Sequence, residues 1–261
     1  NIMADDIVLV KLGGSLLTEK KSQTPKIRES NIKKISEIIS KINKNIILVH
    51  GAGSYAHPLV KKYNIHKGLD GTQEQIRGIT KAKEQVRELN SILCKNMKEN
   101  GLLFENIIPS QKIKIDYHSQ PLNFPKEDFD EILEEGKIAI TFGDIVDTEN
   151  ENVGILSGDT LLLKLAELYK PKRTFFIMDY PGIVRGELDD ENLTIYDEID
   201  SRFVKNMTIQ EDNERPDVTG GLLNKIKCAL QIAMVSECWI SGLDNFEDCL
   251  NDNPIGTKVI I

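Results

Sequence analysis

The chain has 261 residues, of which 40% are hydrophobic, enough for one large α/β domain or for two lobes fused around a continuous sheet. Lys and Arg total 33 against 41 Asp and Glu, which gives a formal net charge of −8. An acidic chain without a long basic run disfavours nucleic acid as a partner. Any phosphate ligand must therefore be attracted by local lysines and backbone N–H groups.

Short apolar runs alternate with helical patterns along the chain. The runs with strand character cover residues 7–12, 46–50, 107–109, 138–142, 174–178, 237–240 and 258–261. Alternation of this kind predicts a largely parallel sheet covered by helices. The longest helix is expected over residues 73–100, with Ile76 in its apolar stripe.

Cysteine usage and hydropathy bound the compartment. The chain has 4 cysteines, and they show neither the spacing of a zinc site nor the density of a disulfide scaffold, so we expect free thiols. No segment approaches the roughly eighteen consecutive apolar residues of a membrane-spanning helix, and no secretory signal is recognisable. These patterns predict a soluble, cytoplasmic protein.

Four glycine-rich turns follow predicted strands or open predicted helices. They are the segments 11–15 (KLGGS), 51–56 (GAGSYA), 157–160 (SGDT) and 217–221 (DVTGG). Glycine lets bare backbone N–H groups approach a ligand closely, which suits phosphate oxygens. Thr219 is expected to cap the helix that carries Lys225, and the N-terminus of this helix would attract an anion. A mobile loop is expected just before it, over residues 211–217.

The turn at 51–56 also fits a dinucleotide-binding fingerprint, G-x-G-x-x-A, so an NAD-binding protein is one alternative. That alternative expects a second strand that ends in an acidic residue about twenty positions later. Residues 59–71 show no such strand, which disfavours it. The P-loop consensus and the H-R-D loop of protein kinases are both absent, so a nucleotide must be held in another way.

Six segments in their order resemble the amino acid kinase superfamily and, within it, the isopentenyl phosphate kinases. They are 11–15 with Lys20, 51–58 with His57, 142–144 (FGD), 154–159 (GILSGD), 217–221 with Lys225, and 256–257 (GT). Each segment alone is a weak signal, whereas all six in order are specific. The resemblance covers nearly the whole chain, from residue 8 to residue 257.

The resemblance implies a three-layer αβα open sandwich around a mainly parallel sheet of about eight strands. It implies an acceptor-binding lobe at residues 3–165 and a nucleotide-binding lobe at 166–261, joined by one continuous sheet. The implied activity is the ATP-dependent phosphorylation of isopentenyl phosphate to isopentenyl diphosphate, a step of isoprenoid biosynthesis. ATP and Mg²⁺ are the implied cofactors, no side chain is assigned as a metal ligand, and a homodimer is expected.

The resemblance also implies roles for individual positions. The implied catalytic residues are Lys11, Lys20, His57, Asp159 and Lys225. The implied ATP-binding residues are Lys11, Gly13, Gly14, Ser15, Gly53, Asp179, Gly221 and Lys225. The acceptor would be held by Ala52, Gly53, His57 and Gly158. In these roles Lys11 and Lys225 neutralise the phosphates and Lys20 stabilises the transition state. Asp159 orients the lysines.

His57 is assigned as a hydrogen-bond donor rather than a base. A phosphate monoester has a second pKa near 6, so its attacking oxygen is mostly anionic at neutral pH and needs no base. A lone histidine is more often structural, but its place inside a glycine turn favours the functional interpretation. In the resemblance, His57 is the residue that separates the isopentenyl phosphate branch from the kinases that act on amino acid carboxylates.

Two other functions stay open. A fosfomycin-type phosphonate kinase, or another small-anion kinase of the superfamily, shares the lysine–glycine turn and the histidine. A non-catalytic ligand sensor on the same fold is disfavoured, because a sensor need not keep charges aimed at a transferring phosphoryl group. The sequence departs from the family pattern at 178–182, which reads MDYPG where T-D-V-D-G is usual, and at Ala56, which replaces a glycine.

Overall fold

The computed structural model of the protein describes residues 2–186, 193–210 and 220–261. The loop expected at 211–217 and the expected helix cap Thr219 lie outside these described residues. Within them, none of the helices is both long and apolar enough to cross a membrane.

Six of the seven predicted strands lie close to their predicted positions, the third does not, and five short strands of the described structure were not predicted. In chain order they are β1 (Ile7–Leu12), β2 (Asn45–His50), β3 (Phe104–Asn106), β4 (Ile138–Phe142), β5 (Asp144–Asp147), β6 (Val153–Leu156), β7 (Arg173–Met178), β8 (Val184–Arg185), β9 (Thr194–Ile195), β10 (Glu198–Ile199), β11 (Glu237–Gly242) and β12 (Thr257–Val259).

Eight of these strands form one central sheet in the spatial order β10-β12-β11-β7-β1-β2-β4-β3. Neighbouring strands run parallel from β3 to β11, and β12 alone pairs antiparallel with its neighbour β11. Strands β5 and β6 form a separate antiparallel hairpin, as do β8 and β9. The predicted, mainly parallel sheet is confirmed.

Helices connect the strands. They are α1 (Gly14–Leu17), α2 (Glu29–Ser40), α3 (His57–Lys62), α4 (Gln73–Glu99), α5 (Pro109–Lys112), α6 (Lys126–Glu134), α7 (Gly158–Tyr169), α8 (Ser201–Gln210), α9 (Gly220–Ile232) and α10 (Phe246–Leu250). The expected long helix is α4. Helix α7 runs across the lobe boundary expected at residue 165, and that division into lobes stays a prediction.

The helices cover both faces of the sheet, and β1 shows how. All of its residues are buried, and its side chains alternate between two apolar clusters. Ile7 and Leu9 pack with α6, α7 and α9, whereas Val8, Val10 and Leu12 pack with α2, α4 and α10. A central strand covered on both faces explains the unbroken apolar run in its sequence. The three-layer αβα sandwich is confirmed.

Two local predictions were wrong. The third strand is Phe104–Asn106, not residues 107–109, because an exposed edge strand needs no apolar run and Pro109 instead begins α5. Ile107 is buried, but its N–H bonds to the carbonyl of Ile140 beyond the end of the strand. Ile76 does not lie on the buried stripe of α4, since 45% of its surface is exposed.

Strands β1, β2, β4 and β7 are parallel neighbours, so their carboxyl ends meet at one edge of the sheet. In open α/β sheets, ligands bind outside the carboxyl ends of the strands. The glycine-rich turns after β1 and β2 lie at this edge, as does the N-terminus of α7.

Candidate active site

The first two glycine-rich turns continue the sheet for one residue and then leave it. The N–H of Gly13 donates to the carbonyl of Ile177, and the N–H of Gly51 donates to that of Leu12, at 3.0 and 2.9 Å. Beyond these bonds, the N–H groups of Gly14, Ala52 and Gly53 have no acceptor in the part of the chain that the structure describes. Backbone donors left over at a turn are suited to bind anionic oxygens.

The two turns pack so closely that no side chain fits at Gly14, Gly51 or Gly53. A Cβ atom on Gly51 would lie 2.8 Å from the amide nitrogen of Gly14, a distance that real Cβ atoms do not show. A Cβ on Gly14 would meet the backbone of Gly53, and Gly53 itself has a φ of +49°. Glycine at these positions is thus required by the contact between the turns, as well as by any ligand.

Two lysines share one carboxylate oxygen at this edge of the sheet. Lys11 at the end of β1 and Lys225 on α9 place their Nζ atoms 2.9 and 3.0 Å from Oδ1 of Asp159, in the first turn of α7. Only 7% of the Lys11 side chain is exposed, and 14% of each of the others. The cluster carries one net positive charge, which an incoming phosphate can neutralise.

Titration of the cluster follows from its burial and its charges. Burial favours the neutral acid of Asp159, but the two ammonium groups outweigh it and hold the pKa of this carboxyl well below its usual range. Desolvation and the nearby charge of Lys11 lower the pKa of Lys225 to about 8, against the pull of Asp159. Lys225 also lies over the ring of Phe176, 5.3 Å from its centroid.

Gly158 makes room for the stem of Lys11. A Cβ on this residue would lie 2.7 Å from Cε of Lys11, so a side chain here would push the ammonium group away from the cluster. Ser157 caps α7 by accepting a hydrogen bond from the N–H of Thr160 at 3.1 Å, which leaves the earlier N–H groups of the helix open to an anion.

His57 begins α3, directly after the second glycine turn, and is close enough to Lys11 and Lys20 for their charges to act on it. Much of its surface is open to water, yet the protein atoms around the ring lower its pKa by desolvation, and the charges of Lys11 and Lys20 lower it further. The ring is therefore mostly neutral at pH 7. A neutral imidazole still has one N–H donor, which fits the assigned role.

Three of the residues to which the resemblance gives a role are exposed and make few contacts with the lysine cluster. Asp179 is exposed and accepts a hydrogen bond from the hydroxyl of Ser15 at 3.2 Å, which joins the end of β7 to the first turn. Gly221 is exposed, and nothing lies within 4 Å of a Cβ placed on it. Lys20 is exposed, and its link to the site is its charge acting on His57.

The FGD motif has a structural explanation. Asp144 is 4% exposed, and its Oδ2 accepts a hydrogen bond from the N–H of Ser110 at 2.9 Å, where α5 begins. Its Oδ1 accepts one from the N–H of Ile145. This aspartate holds the segment after β3 against the β5–β6 hairpin and is separate from the lysine cluster.

Sequence reasoning missed a buried histidine behind the second turn. His50, the last residue of β2, has no exposed surface, and burial lowers its pKa to about 4. Its Nδ1 lies 2.8 Å from the carbonyl of Gly51, and its Nε2 lies 3.1 Å from Nδ2 of Asn90 on α4. The neutral ring therefore donates to Gly51 and accepts from Asn90, which fixes the peptide before Ala52. Nothing in the local sequence pattern marks this histidine.

Thr18 was missed as well. Its side chain is fully buried between the two turns, where it bonds to Gly14 and to Ser54. The only sequence signal was a hydroxyl residue a few positions after the KLGGS segment, which by itself indicates no specific role.

This fold, with glycine turns and paired lysines in place of a P-loop, defines a class of small-molecule kinases. The chain belongs to the amino acid kinase family, whose sequence model matches residues 6–240. The resemblance inferred from the motifs to this superfamily is confirmed.

Among its relatives, an isopentenyl phosphate kinase of Methanothermobacter thermautotrophicus is 28% identical over 235 residues, 87% of each chain. An acetylglutamate kinase of Endomicrobium trichonymphae is 25% identical over 250 residues, 90% of this chain and 93% of the relative. A solved structure of isopentenyl phosphate kinase superposes with a TM-score of 0.80 at 25% identity and covers 97% of this chain and 99% of that one.

Proposed function

We propose that the protein transfers the γ-phosphoryl group of ATP to isopentenyl phosphate and forms isopentenyl diphosphate and ADP. The observation that carries the proposal is the meeting of the Lys11–Asp159–Lys225 cluster with two interlocked glycine turns and His57 at one sheet edge. Two phosphate groups that approach each other repel strongly, and such a site supplies the positive charge and N–H groups that offset the repulsion. Similarity to isopentenyl phosphate kinases over 87% of the chain supports the choice of acceptor.

In this proposal the first turn and the lysine cluster hold ATP. The free N–H of Gly14 bonds to a phosphate oxygen, Lys11 and Lys225 neutralise the transferring phosphoryl group, and Asp159 keeps both ammonium groups in place. Ser15 and Asp179 line the same turn, and Gly13 and Gly221 let backbone approach the nucleotide. Lys225 is the member of the cluster that comes from the C-terminal part of the chain, assigned to the nucleotide.

The second turn holds the acceptor phosphate. The N–H groups of Ala52 and Gly53 have no acceptor in the described structure and would bond to its oxygens, together with the backbone at Gly158. His57, as a neutral ring, donates the hydrogen bond of its single N–H to the same phosphate.

Transfer is then an in-line displacement. An oxygen of the acceptor phosphate forms a bond to the γ-phosphorus while the bond from that phosphorus to the ADP oxygen breaks, and ADP takes the electron pair. No general base is needed, because the acceptor is mostly a dianion at neutral pH. Lys20 would meet the charge that develops on the transferring oxygens.

Mg²⁺ fits this site only as a partner of ATP. No group of three or more His, Cys, Asp or Glu side chains among the described residues is arranged to hold a metal ion, and Asp159 is engaged by two lysines. Mg²⁺ commonly binds through substrate phosphates and water. It would shield the charge of the phosphates.

A homodimer and a cytoplasmic location are further parts of the proposal, which rest on the resemblance and on the sequence. Light scattering of the purified protein would test the homodimer.

A side-by-side assay tests the proposal. The purified protein is given MgATP with isopentenyl phosphate, dimethylallyl phosphate, fosfomycin or N-acetylglutamate, and ADP and phosphorylated product are measured by ³¹P NMR. We expect kcat/KM to be highest for isopentenyl phosphate. A higher value for fosfomycin would transfer the assignment to the phosphonate kinases, and NAD binding without any transfer would support the dinucleotide alternative.

A further inference from the structure

Thr18 lies where three segments of the candidate active site meet. Its hydroxyl donates to the carbonyl of Gly14 at 2.8 Å and accepts from the N–H of Ser54 at 3.0 Å. A single hydroxyl thus bonds to the first glycine turn and to the second. The single proton of the hydroxyl is directed at the Gly14 carbonyl, so its oxygen accepts from the backbone N–H of Ser54, which can only donate.

The same residue begins the hairpin that carries Lys20. Thr18 pairs with Ile27 in an antiparallel bridge, and the N–H of Glu19 donates to the carbonyl of Lys26 at 2.9 Å. The far arm of this hairpin, residues 18–27, is tied to the second turn as well, because the N–H of Lys26 donates to Oγ of Ser54 at 3.2 Å. Ser54 therefore bonds to both arms of the hairpin, to Thr18 on the first arm and to Lys26 on the second.

Thr18 packs tightly against the backbone of Gly53 and Gly14. A Cβ on Gly53 would collide with Oγ1 of Thr18 and would lie 2.7 Å from the carbonyl oxygen of Gly14. Thr18 has no exposed surface, and Ser54 is 3% exposed. The hydroxyl is therefore packed directly against the backbone of the second turn and has no surface that a substrate can reach.

We propose that the Thr18 hydroxyl is a positioning group that fixes the separation between the two phosphate-binding turns and the Lys20 hairpin. The inference rests on the proposed function, in which one turn holds ATP and the other holds the acceptor. In-line transfer requires reacting atoms about 3–3.5 Å apart, and a displacement of about 1 Å can cost roughly 100-fold in rate. Each turn still binds its own phosphate without Thr18, so its loss acts on kcat rather than on either KM.

Thr18→Val tests this with little change of shape. It leaves the N–H of Ser54 and one acceptor site on Gly14 without a partner, and we expect kcat to fall about 10- to 100-fold, while KM for ATP and KM for the acceptor each stay within about threefold of wild type. Thr18→Ser keeps the hydroxyl and should recover most of kcat. A fall in kcat that Ser does not rescue, or a rise in either KM with unchanged kcat, would overturn the inference.

Thr174→Val is the matched control. Thr174 on β7 is also fully buried, and its hydroxyl bonds to that of Ser236 at 2.8 Å, away from the turns. We expect this variant to lose stability to a similar degree and to keep the kcat of the wild type. If it loses kcat as Thr18→Val does, the effect is general destabilisation and Thr18 is not a positioning group.

Wild-type turnover separates this inference from the proposed function. Failure to phosphorylate isopentenyl phosphate sinks the proposed function, and the variants are then compared with whichever acceptor of the assay is phosphorylated. If none is, amide hydrogen exchange decides. Thr18→Val should speed exchange of the N–H groups of Glu19, Arg28 and Ser54 at least tenfold, Thr18→Ser should not, and unchanged exchange in Thr18→Val would refute the link between turns and hairpin.

Discussion

A Cβ atom on Gly14 would lie 2.5 Å from the amide nitrogen of Gly53, so the two phosphate-binding turns are in direct backbone contact. Gly14→Ala should therefore destabilise the apo protein by about 1–3 kcal/mol, as overpacking does. Gly221→Ala is the control, since its Cβ meets nothing within 4 Å. It should leave the unfolding midpoint in urea unchanged but raise KM for ATP. Equal destabilisation by both substitutions would contradict the interlocked turns.

Lys20 should affect turnover far more than its neighbour does. Removal of a preorganised charge from a transition state typically costs about 10²–10³ in kcat, and we expect this loss for Lys20→Ala. Lys21 is also exposed and adjacent, so Lys21→Ala controls for surface charge and for the hairpin. Steady-state kinetics with saturating ATP and acceptor provide the measurement. Wild-type turnover in Lys20→Ala would remove this lysine from the mechanism.

His57 should act on the acceptor alone. A hydrogen bond to a charged group contributes about 1.5–3 kcal/mol, so His57→Ala should lower kcat/KM for isopentenyl phosphate about 10- to 100-fold while the Kd for ATP, measured by calorimetry without acceptor, barely changes. His57→Gln keeps a donor and should recover part of the loss. If His57→Ala is as active as wild type, the acceptor assignment loses its main support.

The pH dependence should report Lys225. Its pKa is lowered to about 8, so the side chain is cationic below that pH and neutral above it. As pH rises through 8, ATP loses a cationic partner, and kcat/KM for ATP should fall. Lys225→Arg, which stays charged, should move the fall to higher pH. A profile that is flat to pH 9.5 in the wild type would mean that Lys225 is not the group that titrates.

The lowered pKa of Lys225 should make the stability of the apo protein rise with pH over the range in which activity falls. A lysine in the unfolded chain titrates near 10.4, so between about pH 8 and 10 the folded apo protein binds fewer protons at this residue than the unfolded chain. Stability contributed by this group therefore rises with pH in that window. Urea unfolding of the apo protein with and without Lys225→Met would isolate the contribution, since the variant cannot show it.

The parts of the fold that the sequence predicts are those with a strong local pattern. β1 and β4 are buried on both faces, so their apolar runs mark their ends closely. β3 was misplaced because an edge strand with exposed Glu105 and Asn106 has no such run, while the neighbouring Ile107 and Pro109 do resemble a strand.

The candidate site divides in the same way. Glycine turns and their lysines are visible because short motifs carry them. Thr18, Ser54 and His50 are not, because their partners are far away in the chain: 36 residues separate Thr18 from Ser54, and 40 separate His50 from Asn90. A hydroxyl or a histidine alone does not reveal a distant partner. The pairing of β1 with β2 brings the turns that carry Thr18 and Ser54 together, and the packing of α4 behind the second turn brings Asn90 to His50.

The alternation along β1 has one more consequence. Ile7 and Leu9 face the helices α6, α7 and α9, and Lys11 is the next residue on that side, where Asp159 and Lys225 wait. A single inserted or deleted residue within this strand would turn Lys11 toward α2 and α4 and would bury a cation among isoleucines. The buried core and the lysine cluster therefore require the same alternation of side chains between the two faces of the sheet over these six positions. Mutational scans of β1 should tolerate many apolar exchanges and no change of length.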